Sequence, residues 1–179
     1  MSIFFVQMSG IPGSGKSTLA RELARITGAV VVDHDITKSA ILSAGVNPLQ
    51  AGATSYQVLK DVSVHLLEQK FSVIFDSPCL YPELVEHGVD VARKFNATYK
   101  YIECRIHDFE LLEQRLQSRQ SLQTQIRSLD ESFSHAGNEP DLARNLIKSW
   151  QDSAAYPSSN WLSIDTTVPI ETCVSEAMS

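Results

Sequence analysis

The segment GIPGSGKST, residues 10–18, constrains the fold of this chain more than any other part of its sequence. An apolar run at residues 3–8 precedes it and predicts a buried strand, while Leu19 and Leu23 after it share one face of a predicted helix. Within the segment, the spacing Gly-x-x-x-x-Gly-Lys-Ser is that of the P-loop, in which backbone N–H groups at the start of a helix surround a phosphate. The alternative is a glycine-rich turn with an incidental lysine, and the flanking strand and helix disfavour it.

Each residue type in this loop has a physical role in binding a nucleotide. Glycine lets the backbone approach an oxyanion closely and adopt positive φ. The Lys16 ammonium can reach the β- and γ-phosphates, and the Ser17 hydroxyl can reach a magnesium ion. The sequence therefore predicts that a nucleotide is bound through Gly10, Gly13, Ser14, Gly15, Lys16, Ser17 and Thr18.

The composition limits what surrounds this loop. With 179 residues, 43% of them hydrophobic, the chain can bury one core, and we expect a single domain over residues 1–179. No apolar run approaches the roughly 18 to 20 residues of a membrane span, and we expect a cytoplasmic protein. The formal net charge of −6 disfavours a nucleic-acid partner and favours a small acceptor. The sequence does not indicate an oligomeric state.

Strand-like and helix-like segments alternate along the chain. The predicted strands are residues 3–8, 29–32, 72–75, 99–104 and 161–164. The predicted helices are residues 16–26, 36–44, 53–69, 82–95, 108–118, 140–152 and 169–177. This alternation indicates an α/β fold with a parallel sheet and helices on both faces. The polar segment 119–139 predicts a lid over a phosphoryl-transfer site, with a plain surface loop as the alternative.

Three aspartates follow predicted strands, at the edge where parallel sheets bind their ligands. Asp33 and Asp35 come at the end of the second strand, and Asp76 ends the third. An attacking hydroxyl needs orientation and a proton acceptor, and magnesium needs oxygen ligands, so carboxylates fit both roles. We predict Asp35 as the base and Ser17, Asp33 and Asp76 as the metal site, although the division of roles among the three aspartates stays open. Each could instead be a helix cap or a surface charge, and Asp35 in particular could cap the helix after it.

Charge on the transferred phosphoryl group calls for cations beyond Lys16. Arg115 and Arg119 lie four residues apart on one face of a predicted helix end, and Arg127 follows in the predicted lid. We predict that the nucleotide contacts all three arginines, and that Lys16 and Arg119 act in catalysis beside Asp35. The alternative for each arginine is a solvated surface position or a pair with a neighbouring glutamate.

An acceptor pocket is predicted beside Asp35. Its candidate residues are Asp35, Lys38, Tyr56, Asp76, Ser77 and Tyr81, which offer hydrogen bonds and two aromatic rings. Lys38 could instead be solvated, and the two tyrosines could belong to the core. Cys79 is predicted to be a buried, inert thiol, with a position near the cleft as the alternative. These residues carry no code from which the acceptor can be identified.

Together, these motifs resemble the small P-loop kinases of the nucleoside-monophosphate-kinase-like group, in particular the AAA_33 kinases that include the 5′-kinase domain of polynucleotide kinase. The resemblance rests on GIPGSGKST, DHDITKSAI, VIFDSP, the arginines of residues 115–127 and WLSIDTTVPIETCV, and it spans nearly the whole chain. It implies a P-loop NTPase three-layer sandwich with a five-stranded parallel sheet in the order 2-3-1-4-5, an arginine-bearing lid, and ATP with Mg²⁺ as cofactors.

The resemblance also implies roles for single residues. Asp35 resembles the base of polynucleotide kinase, and Lys38 stands where that family often has arginine, which weakens a polynucleotide interpretation. Arg115 resembles the arginine that stacks on adenine in adenylate kinases, and Arg119 resembles one that contacts phosphates. The loop after LSIDTT resembles the adenine-side loop of the family. The pair Asp33 and Asp35 is also similar to that of shikimate and gluconate kinases, in which the second aspartate meets the acceptor hydroxyl.

Three functions are compatible with these features. We predict an ATP-dependent kinase, a phosphotransferase with an alcohol group as acceptor, that acts on a small metabolite. A nucleoside or polynucleotide 5′-hydroxyl kinase is the first alternative, and the acidic charge and Lys38 count against it. A non-catalytic or regulatory nucleotide-binding protein is the second, and the complete set of Lys16, Asp35 and Arg119 counts against it.

Overall fold

The computed structural model describes residues 2–79, 81–120, 122, 125, 127–129, 149–150 and 155–179. The strands are β1 (Phe4–Ser9), β2 (Val30–Asp33), β3 (Val73–Asp76), β4 (Thr98–Arg105) and β5 (Trp161–Asp165). The helices are α1 (Lys16–Thr27), α2 (His34–Ser43), α3 (Pro48–Glu68), α4 (Pro82–Phe95), α5 (Phe109–Ser118) and α6 (Ile170–Met178). The helix predicted at 140–152 lies outside the described residues, apart from positions 149 and 150.

The five strands form one parallel sheet in the order β2-β3-β1-β4-β5, which confirms the predicted order. β1 is the central strand, with a neighbouring strand on each side. Its residues are buried and mostly apolar, as expected for a strand that is covered on both faces of the sheet. Since all strands run in the same direction, their carboxyl ends share one edge of the sheet. The P-loop follows β1 and therefore lies at the middle of this edge, which is where parallel sheets bind their ligands.

Side chains of β1 alternate between the two faces of the sheet, as the period of a strand requires. Phe5 packs with Phe75 and with buried residues of α3 and α4 on one face. Val6, Met8 and Ile74 pack with buried residues of α1 and α6 on the other. The molecule is therefore the predicted three-layer sandwich, with helices on both faces.

Two helices begin earlier than the sequence pattern predicts. Helix α2 begins at His34 rather than at residue 36, because the Asp33 side chain caps it. Helix α3 begins at Pro48 rather than at residue 53, because the Asn47 side chain caps the N–H of Leu49. Leu49 is 93% exposed, so the first turn of α3 carries no apolar periodicity. None of the helices in the described part of the chain combines the length and apolar character needed to cross a bilayer.

Candidate active site

Three glycines give the P-loop its path from β1 into α1. Gly10, Gly13 and Gly15 have φ values of 135°, 82° and 87°, a region that other residues rarely adopt. A Cβ atom on Gly10 would lie 2.5 Å from the carbonyl oxygen of Cys104 in β4, and one on Gly13 would lie 2.6 Å from the side chain of Leu112 in α5. The loop therefore rests directly on β4 and α5, and side chains at these positions would push it away.

The start of α1 is left open for a ligand. Gly15 is the N-cap residue and has no side chain to cap the first turn, whose N–H groups point away from the helix. The Lys16 side chain is buried, and among the described residues its ammonium makes a long contact of 3.4 Å with the Ile11 carbonyl oxygen. The buried Ser14 hydroxyl finds no hydrogen-bond partner among the described residues. Open amides, a lysine and an orphaned hydroxyl fit a bound phosphate chain.

The loop after β5 closes over the P-loop through Thr166. Its hydroxyl oxygen lies 2.7 Å from the Ser14 carbonyl oxygen and 3.0 Å from that of Arg105. Arg115 of α5 donates to the Thr166 hydroxyl at 3.2 Å and to its carbonyl at 2.6 Å. The Arg115 guanidinium is therefore held above the start of α1. Sequence reasoning placed Arg115 here but did not single out Thr166, which only the resemblance of its loop indicated.

Asp76 is a buried carboxylate beside the phosphate-binding loop. It is directly opposite Asp33 in the register of β2 and β3. Neither of its oxygens accepts a hydrogen bond from the described residues. Burial raises the pKa of Asp76 to about 6, although Lys16 opposes the rise and the Ser17 hydroxyl is close enough to oppose it without meeting hydrogen-bond geometry.

These residues fit a magnesium site. Mg²⁺ keeps several waters and is usually held by one or two carboxylates together with phosphate oxygens. Asp76 supplies an unsatisfied buried carboxylate, and Ser17 supplies a hydroxyl at the start of α1. The described residues contain no group of three or more His, Cys, Asp and Glu side chains that could hold a metal by itself.

Asp33 and Asp35 have different surroundings although they are two residues apart. Asp33 Oδ1 accepts hydrogen bonds from the Asp35 and Ile36 N–H groups at 2.8 Å and 3.1 Å, so Asp33, and not Asp35, is the helix cap. The magnesium role of Asp33 stays a prediction. Asp35 lies in the first turn of α2, where its carboxylate is partly exposed.

The Asp35 carboxylate is held by side chains from two other positions. Its Oδ2 accepts a 2.7 Å hydrogen bond from Gln125, and its Oδ1 lies 3.5 Å from His34 Nδ1. Burial acts to raise the pKa of Asp35, but the side chains of His34 and Gln125 and the charge of Lys16 outweigh it and lower the pKa to about 2. Asp35 is therefore ionised throughout the neutral range. Sequence reasoning did not name Gln125, although it lies in the predicted lid.

Most of these groups line one cavity of about 600 Å³. Its walls include Lys16, Ser17, Asp35, Arg115 and Arg119, which the sequence predicted to act together, and Arg21 and Thr166, which it did not single out. Arg21 is an exposed residue of α1, and no sequence signal distinguishes it from other surface arginines. Gly10 and Asp76 do not line the cavity.

Two arginines of the predicted lid differ in position. Arg119 is the C-cap residue that follows α5 and lines the cavity, and burial lowers its pKa while the charge of Asp35 opposes this effect. Arg127 is exposed and does not line the cavity. Of the predicted lid at 119–139, the structure describes residues 119, 120, 122, 125 and 127–129. The remainder lies outside the described residues, and the lid stays a prediction.

Asp35 is the predicted acceptor residue that lines this cavity, and outside it Tyr56 and Tyr81 form an aromatic wall. The Tyr56 ring stacks on His34, with ring centres 4.2 Å apart, and Tyr81 lies edge-on to Tyr56 at 6.2 Å. Burial raises the pKa of Tyr56 well above its ordinary value. The buried Ser77 hydroxyl has no hydrogen-bond partner among the described residues. Lys38, one turn after Asp35, is half-buried.

Cys79 lies behind this wall. Its side chain is fully buried, and burial raises the pKa of the thiol to about 12. A thiol with this pKa is protonated at neutral pH and is not a nucleophile. Its surroundings therefore agree with the predicted inert role.

The sheet order, the glycine-rich loop after the central strand and the lysine at the start of α1 define a P-loop NTPase. The chain belongs to the AAA_33 family, whose sequence profile, described as an AAA domain, matches residues 5–132. This match confirms the family resemblance seen in the sequence. No curated protein has a sequence that matches this chain significantly.

Solved structures with low sequence identity share the fold. A sugar kinase from Janibacter sp. HTCC2649 is 17% identical, with a TM-score of 0.62 over 98% of this chain and 92% of that one. The Mycobacterium tuberculosis APS kinase in complex with AMPPNP and APS is 16% identical, with a TM-score of 0.63 over 99% and 96%. A gluconokinase from Sinorhizobium meliloti 1021 is 14% identical, with a TM-score of 0.59 over 97% and 89%.

Proposed function

We propose that this protein is an ATP-dependent kinase that transfers the γ-phosphoryl group of ATP to a hydroxyl of a small metabolite. The observation that carries the proposal is that Lys16 and Asp35 line the same cavity. One wall of the cavity is the phosphate-binding loop. Another wall carries the ionised carboxylate of Asp35, which is not needed to bind a phosphate. A protein that only binds a nucleotide needs the first wall and not the second.

On the nucleotide side, the chain supplies positioning and positive charge. The open amides of α1 hold the phosphates, and Lys16 lies where it can neutralise charge on the transferred group. Arg115 is fixed by Thr166 above the start of α1, and Arg119 adds a second positive charge to the same cavity. Ser17 and Asp76, with Asp33 as the further candidate, would hold Mg²⁺. A bound Mg²⁺ would neutralise part of the negative charge of the phosphates.

On the acceptor side, Asp35 orients the hydroxyl. A carboxylate with a pKa of about 2 is a weak base, so it does not deprotonate an alcohol before the reaction. Phosphoryl transfer through a loose transition state needs an attacking oxygen held in line more than it needs a strong base. Asp35 therefore holds the hydroxyl by accepting its hydrogen bond, and it takes the proton late in the transfer.

The comparisons support a small acceptor. The solved structures that share the fold include a sugar kinase, a gluconokinase and an APS kinase bound to AMPPNP and APS. The formal net charge of −6 also opposes a long nucleic-acid substrate. The aromatic wall of Tyr56 and Tyr81 beside Asp35 suits the carbon skeleton of a small hydroxylated molecule.

The test is a screen for acceptor-dependent ADP release with hydroxylated metabolites, nucleosides and short oligonucleotides. We expect turnover with a metabolite, and a phosphorylated product identified by mass spectrometry. Turnover with oligonucleotides, falling steeply as salt rises, would replace the proposal with a polynucleotide kinase. ATP hydrolysis that no acceptor accelerates would replace it with a nucleotide switch.

A further inference from the structure

His34 is a buried histidine next to Asp35 for which the proposed reaction gives no role. His34 is the first residue of α2 and is 7% exposed. Its ring stacks on Tyr56 of α3, and its Nε2 lies 3.0 Å from the Ser55 hydroxyl oxygen, also of α3. Its Nδ1 lies 3.5 Å from Asp35 Oδ1 and has no hydrogen-bond partner among the described residues. The imidazole thus connects α3 to the candidate base.

The single hydrogen of the Ser55 hydroxyl decides what Nδ1 can do. The hydroxyl oxygen lies 2.7 Å from the Gly52 carbonyl oxygen and 3.0 Å from His34 Nε2. In the neutral imidazole, which carries one ring proton, a Ser55 hydroxyl that donates to Gly52 requires this proton on Nε2, and the Nδ1 lone pair then faces the Asp35 carboxylate. Two acceptors would then oppose each other in a buried place, which is unfavourable.

The other arrangement gives every group a partner. If Ser55 donates to Nε2, the ring proton lies on Nδ1 and points at Asp35. The Gly52 carbonyl loses nothing essential, because it lies inside α3 and accepts a backbone hydrogen bond of the helix. The buried Nδ1, otherwise an orphan, then has an acceptor 3.5 Å away.

Given the proposed kinase function, we propose that His34 is a positioning residue that donates from Nδ1 to Asp35 Oδ1 and sets the direction in which the carboxylate meets the acceptor hydroxyl. Ser55 selects the required tautomer, and Tyr56 holds the plane of the ring. The 3.5 Å separation is long for a hydrogen bond, as is common before substrate binds, and it shortens in the complex with acceptor. Gln125 holds the other oxygen of Asp35, so both ends of the carboxylate are directed by side chains.

Two replacements of His34 separate positioning from simple packing. The amide nitrogen of asparagine can take the place of Nδ1, and that of glutamine can take the place of Nε2. His34→Asn should keep the donor to Asp35 and retain kcat within about threefold, whereas His34→Gln should lower kcat by about 10- to 100-fold, the usual effect of losing such an outer partner. The KM for ATP should change in neither variant. If His34 only fills space, glutamine is the better replacement because it is larger and keeps the contact with Ser55.

Ser55→Ala gives a second test, with Ser63→Ala as its matched control. Both serines are fully buried in α3, and the Ser63 hydroxyl has no partner among the described residues. Ser55→Ala should lower kcat by roughly 3- to 10-fold because the tautomer is no longer selected, whereas Ser63→Ala should leave kcat unchanged. Unfolding by urea, measured for all four variants, shows whether each one is folded at the assay temperature.

The outcomes distinguish the two levels of the proposal. Equal loss in His34→Asn and His34→Gln, or equal activity of Ser55→Ala and Ser63→Ala, would overturn the positioning role and leave the kinase function intact. Absence of acceptor-dependent turnover in the unaltered protein, across the screen described above, would overturn the kinase function and this role with it.

Discussion

Asp76 should make the ligand-free protein less stable at neutral pH than its neutral variant Asp76→Asn. The carboxylate is 3% exposed, and neither oxygen has a hydrogen bond among the described residues. Burial raises its pKa from 3.8 to about 6, a rise of about two units. Because each unit is worth 1.36 kcal/mol, the native state loses about 3 kcal/mol when Asp76 is ionised.

The sign follows from the proton balance. The native state holds the proton up to a higher pH than the unfolded chain, so this penalty is absent below pH 3.8 and grows as the pH rises to about 6. It is complete above that pH. Asparagine removes the charge but leaves a buried amide in its place, so the full value of about 3 kcal/mol is an upper limit. We expect Asp76→Asn to raise the free energy of unfolding by on the order of 1 to 3 kcal/mol at pH 8.

The assay is urea unfolding without nucleotide or magnesium, at several pH values between 4 and 8. We expect the free energy of unfolding of Asp76→Asn to exceed that of the unaltered protein at pH 8, and the difference to vanish or reverse near pH 4. Asp61→Asn, at an exposed position of α3, should change stability by less than about 0.5 kcal/mol. MgATP should stabilise the unaltered protein more than Asp76→Asn. A lower free energy of unfolding for Asp76→Asn than for the unaltered protein at pH 8 would refute the conclusion that the buried Asp76 carboxylate destabilises the native state.

Three further substitutions test the remaining parts of the site. Lys16→Ala should lower turnover by about 10²-fold or more, because it removes charge from the phosphate side; unchanged steady-state ADP release would contradict the P-loop assignment. Asp35→Asn should leave ATP affinity, measured by calorimetry, within about threefold while acceptor-dependent turnover falls roughly 10²-fold, and equal losses in both would move Asp35 to the magnesium site. Thr166→Val should weaken ATP binding about 10-fold, since a lost buried hydrogen bond costs roughly 1 to 3 kcal/mol, and unaltered calorimetric affinity would show that the Thr166 hydroxyl is not needed to hold Arg115 in place.

The local parts of the site could be predicted from the sequence because their signals are local. The spacing of residues 10–18 predicts the loop, the period of α5 predicts Arg115 and Arg119 on one wall, and the strand ends predict a cluster of aspartates. The structure brings Lys16, Asp35 and both arginines to one cavity. The sheet order followed from the family resemblance, since alternation of strands and helices does not fix the order of strands.

The rest depends on contacts that short patterns do not contain. Thr166 meets the P-loop across 152 residues of chain, and Gln125 meets Asp35 across 90. The cap of α2 could not be assigned because Asp33 and Asp35 both suit it, and the end of β2 decides between them. His34 gave no signal, since the resemblance concerns the aspartates on either side of it.

The division of the site between segments has a consequence for protein engineering. In the proposed kinase, the P-loop, α5 and the loop with Thr166 form the nucleotide side, whereas α2, α3, Ser77 and Tyr81 carry the groups around Asp35. Within the described part of the chain each helix contributes to one side, so a library confined to α3, Ser77 and Tyr81 would sample new acceptors without altering the residues assigned to ATP. In the proposed kinase, the same separation would allow the acceptor to change during evolution while the phosphate donor stays the same.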